Sequence, residues 1–295
     1  MPDELRGGGP AATGGKKGTY TPQVEALAQE LAQTSLAHVR VLRDILGNSA
    51  AAMPAINLDT AWQQLANSAL NTQLQPTFDP YANDLFFSLA VNQLEGLSVS
   101  AFRGLSSMIN ANDFNSIIAG ILGAEAYYDG AIRWRLSDRL AVVTPWQQPL
   151  WKIVNAFATL RANLRGQAAG QQQQAGQQQQ AGQAQAGQQQ QAGQQQQAGQ
   201  AQGQAQGQQQ GQQQGQQNMF DIGILQPVAQ SSLAQAPNPR TFAGGNAVQI
   251  AAVDPNTGLV FSRSPAQVLA VLYGSGDASK PGLFFPQGVN GNLKG

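Results

Sequence analysis

Between Gln167 and Gln217 the chain is written almost entirely in Gln, Gly and Ala, in repeats such as Ala-Gly-Gln-Gln-Gln-Gln. Such a run has no apolar periodicity, so burial cannot recover the entropy that ordering it would cost. The composition predicts a flexible, slippage-prone linker, and the regular glycines argue against a Gln-driven self-association tract. The run divides the 295-residue chain into a helical part and a shorter part of different chemistry. Four stretches are therefore expected: a flexible N-terminal segment over 1–20, a helical domain over 21–166, the linker over 167–217, and an appendage over 218–295. The appendage is too small to hold a comfortable core alone and is expected to pack on the helices.

Before the linker, apolar residues recur at helical spacing. Thr21-Pro22 predicts a helix start, with the hydroxyl as N-cap and proline where its missing N–H costs nothing. Leu27, Leu31, Val41, Leu42 and Ile45 carry the pattern to a stop at Gly47. A short helix is expected over 59–70. A long one over 81–109 carries Leu85, Leu89, Val91, Leu94, Val99 and Phe102, and another over 113–140 carries Ile117, Ile118, Ile121, Leu122 and Ile132. A fourth is expected from Trp146 to about Leu164, after Thr144-Pro145. The roughly 35 residues between the first two long helices allow a crossover along a bundle, where an antiparallel hairpin would need only a few. After the linker, Ala247–Val253 and Gly258–Ser262 predict a hairpin, Ser264-Pro265 starts a helix ended by Gly274, and the Gly- and Pro-rich tail is expected to wrap a surface.

Composition removes several functions. Net charge is zero and only 11% of residues are charged, so there is no basic surplus for phosphates and nucleic acid is not an expected partner. The absence of cysteine removes disulfides, thiol catalysis and thiolate metal sites. No segment reads as a membrane span, and residues 1–18 lack the apolar core of a secretory signal. A Ser-His-Asp triad would have to use His38, the chain's single histidine, and no Gly-x-Ser-x-Gly turn surrounds a serine. The glycine-rich segments lack the ending of a phosphate cradle.

Three polar side chains fall on the apolar stripes: His38, in line with Leu31, Val41, Leu42 and Ile45; Glu95, in line with Val91, Val99 and Phe102; and Glu125, in line with Ile118, Ile121, Leu122 and Ile132. A buried carboxylate is costly unless paired, protonated or metal-bound. Two carboxylates and an imidazole converging between helices would begin a carboxylate metal site. Equally, each could be hydrogen-bonded to Tyr127, Tyr128, Arg103 or Arg133, or lie at a helix flank. Asp129 adds a carboxylate one turn after Glu125.

Several segments carry a resemblance: Phe78-Asp79-Pro80-Tyr81-Ala82-Asn83, Leu94-Glu95-Gly96-Leu97-Ser98-Val99-Ser100-Ala101-Phe102, Gly120-Ile121-Leu122-Gly123-Ala124-Glu125 and Gly130-Ala131-Ile132-Arg133. After the linker come Phe261-Ser262-Arg263-Ser264-Pro265, Leu272-Tyr273-Gly274-Ser275-Gly276, Gly282-Leu283-Phe284-Phe285-Pro286-Gln287-Gly288 and Gly291. In this order they resemble the plant desiccation-related proteins. The resemblance implies a mainly α, ferritin-like helical bundle with a small C-terminal hairpin-plus-helix appendage, and an association with drying or other stress. It also implies a secretory signal and a first bundle helix, neither visible here, so localisation stays open between a secreted and a vacuolar full-length form. Three helices arranged for four would leave an apolar groove, to be covered by the Trp146 helix, the C-terminal tail, a partner helix or a second copy in a homodimer.

The same resemblance implies a di-iron site built from one Glu on each of two helices and Glu-x-x-His on the other two. Carried over, the second-helix motif stands here as Ser35-Leu36-Ala37-His38, the third-helix Glu as Glu95, and the fourth-helix motif as Glu125-Ala126-Tyr127-Tyr128. The first-helix Glu has no counterpart. His38, Glu95 and Glu125 are thus vestigial metal candidates. The expected function is a non-enzymatic, stress-associated structural or protective role with no cofactor. The alternatives are a carboxylate-site protein or oxidoreductase using iron or manganese, and a helix-bundle interaction module.

Overall fold

The computed structural model describes residues 1–109, 112–164, 224–227, 241–242, 246–254 and 257–291. The expected linker lies outside the described residues. Six α-helices are described: α1 (Pro22–Leu46), α2 (Thr60–Leu70), α3 (Asp84–Ser106), α4 (Asn112–Ser137), α5 (Leu150–Leu164) and α6 (Pro265–Tyr273). Three short strands, β1 (Leu225–Pro227), β2 (Thr241–Phe242) and β3 (Asn246–Val248), form an antiparallel sheet in the order β1-β3-β2.

The long helices α3 and α4 pack along each other as the most extensive pair. Asn83 caps α3 by accepting a hydrogen bond from the Phe86 amide at 2.9 Å, and Leu89, Ile118, Ile121 and Ile132 are buried between the helices. One end of the bundle is held by Asp84, which accepts from the Thr21 amide at 2.8 Å, the Thr21 hydroxyl at 2.6 Å and Arg135 at 3.1 Å. Burial works against its charge, but the Thr21 hydrogen bonds and Arg135 outweigh it and hold the carboxyl below its usual range. The Thr21 hydroxyl thus ties α1 to α3 and makes no cap bond within its own helix. Val24, which the apolar stripe left out, is fully buried, while Val41 is 40% exposed.

α2 packs on α5, and α6 touches both α3 and α5. Trp62, Phe78, Phe86, Phe157 and Phe284 share the main core, and Trp146 stacks on Phe86 at 5.0 Å. The fourth predicted helix begins four residues later than expected, because Thr144 to Pro149 is a turn. Gln147 has a positive φ of 57°, and Thr144 bonds the Gln148 carbonyl through both its amide and its hydroxyl, at 2.8 Å each.

The C-terminal residues complete the bundle. Ser264 and Gln267 form a reciprocal capping box at the start of α6, and Gly274 closes it in the left-handed region. Phe284, in the tail, is 6% exposed and meets Trp62 edge-on at 4.8 Å. The expected hairpin survives as a single antiparallel bridge, Val253 to Val260, while β3 pairs with β1 and β2. The N-terminal segment expected to be flexible is tied down: Leu5 is buried, Thr13 bridges to Asn57, and the Thr19 amide donates to the Tyr81 carbonyl at 3.0 Å.

By length and composition α3 alone among the described helices could cross a membrane, which the sequence reading did not anticipate. It is the core helix of the bundle, and its apolar residues serve that core.

Candidate functional site

α3 must present an unbroken face to α4, and this places Glu95 among Val91, Val99 and the α4 residues. α4 places Glu125 and Asp129 on the face that buries Ile118, Ile121 and Ile132. All three acids are interior, with Glu95 6%, Glu125 7% and Asp129 5% exposed. From the third helix, α1, His38 reaches in and makes a 2.9 Å hydrogen bond from Nδ1 to Glu125 Oε1.

Glu95 and Glu125 are hydrogen-bonded to each other. Two carboxyl groups can share such a bond only if one keeps its proton. Glu95 is the one that keeps it: burial above all, then the charge and hydrogen bond of Glu125, then Asp129, push it up to about 9. Its Oε2 is buried with no hydrogen-bond partner among the described residues. From α1 inward the line runs His38, Glu125, Glu95. The open alternatives for these side chains resolve toward one another: Tyr127 is 67% exposed, Arg103 bonds Ser106, and Arg133 donates to the carbonyls of Ile250 and Gln249.

Tyr128 stands where the di-iron motif would put its second histidine. Its hydroxyl shares a 2.9 Å hydrogen bond with Thr34 and donates to Glu30 at 3.2 Å, so it pins α1 to α4. Ser35, in the place of a ligand Glu, offers no carboxylate. Among the described residues, no three His, Asp or Glu side chains are gathered so as to hold a metal ion. His38, Glu95 and Glu125 meet as a chain of hydrogen bonds, and this donor set does not fit a di-iron centre.

Sequence reasoning named Arg133 only as a possible partner of the acids and missed Arg161 and Arg263. Arg133, Arg161 and Arg263 are 1%, 4% and 1% exposed and, with Asp129, line a small cavity of about 10 Å³. Arg161 of α5 donates to the carbonyls of Asn92 and Gln93 at 2.9 and 3.1 Å. Arg263, just before α6, reaches the Ser100 hydroxyl at 2.6 Å while its amide donates to the Ser100 carbonyl at 2.9 Å. The signal lay in the glycines of α3. A Cβ at Gly96 would sit 3.4 Å from the Arg161 guanidinium, and one at Gly104 would sit 1.9 Å from the Arg263 carbonyl. Glycine inside a helix costs about 1 kcal/mol relative to alanine, and these two make room for the segments that bring the arginines in.

Residues 8–138 match the family model described as a ferritin-like domain. A desiccation-related protein of Craterostigma plantagineum is 28% identical over 165 residues, covering 55% of this chain and 51% of that protein. A ferritin-like catalase of Nesocodon mauritianus is 22% identical over 293 residues, covering 98% of this chain and 74% of that protein. The chain therefore spans about half the length of the first relative and about three quarters of the second. No solved structure matches.

Proposed function

From a chain that carries a ferritin-like domain and is related to the plant desiccation-related proteins, we propose a non-enzymatic structural or protective role during drying. The reading rests on the Glu95–Glu125 pair, which the fold sets within hydrogen-bonding reach of each other, so that a proton kept on Glu95 by burial and by the Glu125 charge would neutralise the pair with no further ligand. His38 holds the outer side of Glu125, and Tyr128 is engaged with Thr34 and Glu30. The polar interior is thereby turned to fastening α1, α3 and α4 together.

A second reading is supported by the similarity to a ferritin-like catalase over nearly the whole chain. In it, one iron or manganese ion displaces the shared proton and is held weakly by His38, Glu95 and Glu125, with oxidoreductase chemistry following. The donor types suit such an ion, though three side chains are fewer than these metals usually take from a protein.

Metal analysis separates the two. The purified chain is offered ferrous iron or manganese, desalted and measured by elemental analysis. The structural reading expects no metal above background. About one metal per chain, abolished by Glu95→Gln or Glu125→Gln, would overturn it and call for assays with oxygen and peroxide.

A further inference from the structure

The face of α4 opposite its buried side carries a pattern that the bundle does not use. Gly120, Gly123, Tyr127, Gly130 and Trp134 follow one another at intervals of three, four, three and four residues, which places them along one narrow stripe of the helix. Tyr127 is 67% and Trp134 62% exposed, whereas Ile118, Ile121, Ile132 and Leu136, on the other side, are buried. A Cβ added at Gly120, Gly123 or Gly130 would meet no atom within 4 Å. These glycines therefore relieve no crowding within the chain, unlike Gly96 and Gly104, yet each lowers helix propensity.

We propose that this stripe is a homodimer interface, in which α4 packs antiparallel against α4 of a second copy about a two-fold axis at Tyr127. The argument is self-complementarity. In an isologous antiparallel pair, a residue n positions after the centre faces the partner residue n positions before it. Trp134 and Gly120 lie seven positions on either side of Tyr127, so each indole would fall on the bare backbone at Gly120 of the partner subunit. Gly130 mirrors Ala124 and Gly123 mirrors Ala131, so small residues meet small residues and the backbones can approach closely. Further out, Asp138 mirrors Ser116, both exposed, setting a carboxylate opposite a hydroxyl donor. The antiparallel arrangement also opposes the two helix dipoles favourably. A parallel pairing would set Trp134 against Trp134 of the partner subunit and leave the glycine notches empty.

The area is that of a weak contact. At the fractions exposed, Tyr127 and Trp134 offer roughly 300 Å² per chain. That is about 600 Å² over two chains before the glycine and alanine backbone between them is added, against the ~1,200 Å² at which stable interfaces begin. Burial of that size belongs with weak, transient contacts, so self-association is expected only at high chain concentration.

The full chain contains no cysteine, which makes the geometry testable by single-cysteine cross-linking beside sedimentation. The native chain should pass from monomer toward dimer as its concentration is raised to about 1 mM. Trp134→Glu should leave it monomeric with unchanged helical circular dichroism and melting temperature, since Trp134 is on the surface. Under mild oxidation Tyr127→Cys should give a disulfide-linked dimer, because the two copies of that residue meet at the axis. Trp134→Cys should not, because its two copies would lie ~21 Å apart. A monomer at every concentration would overturn the proposal. So would a dimer indifferent to Trp134→Glu, or equal cross-linking by both cysteine variants.

Discussion

Replacing Glu95 by Gln isolates the shared proton at the centre of the bundle. An amide is the neutral isostere of the protonated carboxyl, and its N–H can donate to Glu125 as the carboxyl O–H does. Glu95 has an ordinary value near 4.5 in the unfolded chain and about 9 in the folded one. Below about 4.5 both states are protonated and the group adds no pH dependence. Between about 4.5 and 9 the unfolded chain gives up the proton and the folded chain keeps it. Stability then falls as pH rises, by up to about 1.4 kcal/mol per pH unit, and levels off above about 9. Glu95→Gln removes that slope. The other polar groups facing the site, His38 from α1, Glu125 and Asp129 from α4, and Arg133, Arg161 and Arg263 around the cavity beside Asp129, remain in both proteins. The variant should match the native protein near pH 4.5 and exceed it by ~3–5 kcal/mol near pH 8, a large part of a typical domain's stability. Urea unfolding of both proteins across pH 4.5 to 9 measures the difference directly. A difference that stays constant with pH, or a variant that grows relatively weaker as pH rises, would refute a proton held on Glu95.

Other outcomes follow from single contacts. Gly104→Val places a side chain against the Arg263 backbone and should cost at least about 1–3 kcal/mol; loosening of the C-terminal segment should show as faster proteolysis near Arg263. Ser264→Ala breaks the capping box of α6 and should cost ~1 kcal/mol in thermal or urea unfolding. Phe284→Ala empties a place in the aromatic core and should cost about 3–5 kcal/mol by the same measurements. His38→Ala leaves Glu125 without its 2.9 Å partner and should cost ~2–3 kcal/mol, discounted from the fully buried case because His38 is partly exposed.

The helices were legible because their signals are local. The Ser264-Pro265 start, the Gly274 stop and the isoleucines of α4 each act within a few residues, and each stands where the sequence put it. Facing was legible too where the pattern was dense, so Glu95, Glu125 and His38 were found on inward stripes. The partners of those side chains were not legible. Helical periodicity says that Glu125 turns inward, but which residue of α1 meets it depends on how the two helices cross. The same limit hid two of the arginines. Arg161 and Arg263 lie 69 and 163 positions from the α3 residues they bond, and nothing in their own neighbourhoods marks a buried cation. The misplaced start of α5 has a different cause: Thr144-Pro145 has the form of a helix start, but Trp146 gains more by stacking on Phe86 and donating to the Pro76 carbonyl at 2.7 Å.

These contacts bear on why a ferritin-like interior can hold three acids through these residues alone. Bringing Glu95, Glu125 and Asp129 into one bundle requires positive charge or protons nearby, since isolated buried carboxylates cost several kcal/mol each. Here the demand is divided. A proton neutralises Glu95, His38 bonds Glu125, and Asp129 lines a cavity with Arg133, Arg161 and Arg263. The guanidinium groups come from α4, from α5 and from the segment before α6, so three elements of the fold meet beside Asp129. It follows that the C-terminal appendage is part of the electrostatics of the bundle as well as its cover. Arg263→Met, which keeps much of the volume and removes the charge, should destabilise the chain by ~2–4 kcal/mol near neutral pH, and by less toward low pH, where protons can take over the neutralisation of buried carboxylates. Equal loss at neutral and low pH would mean that Arg263 serves only to fasten the appendage to Ser100.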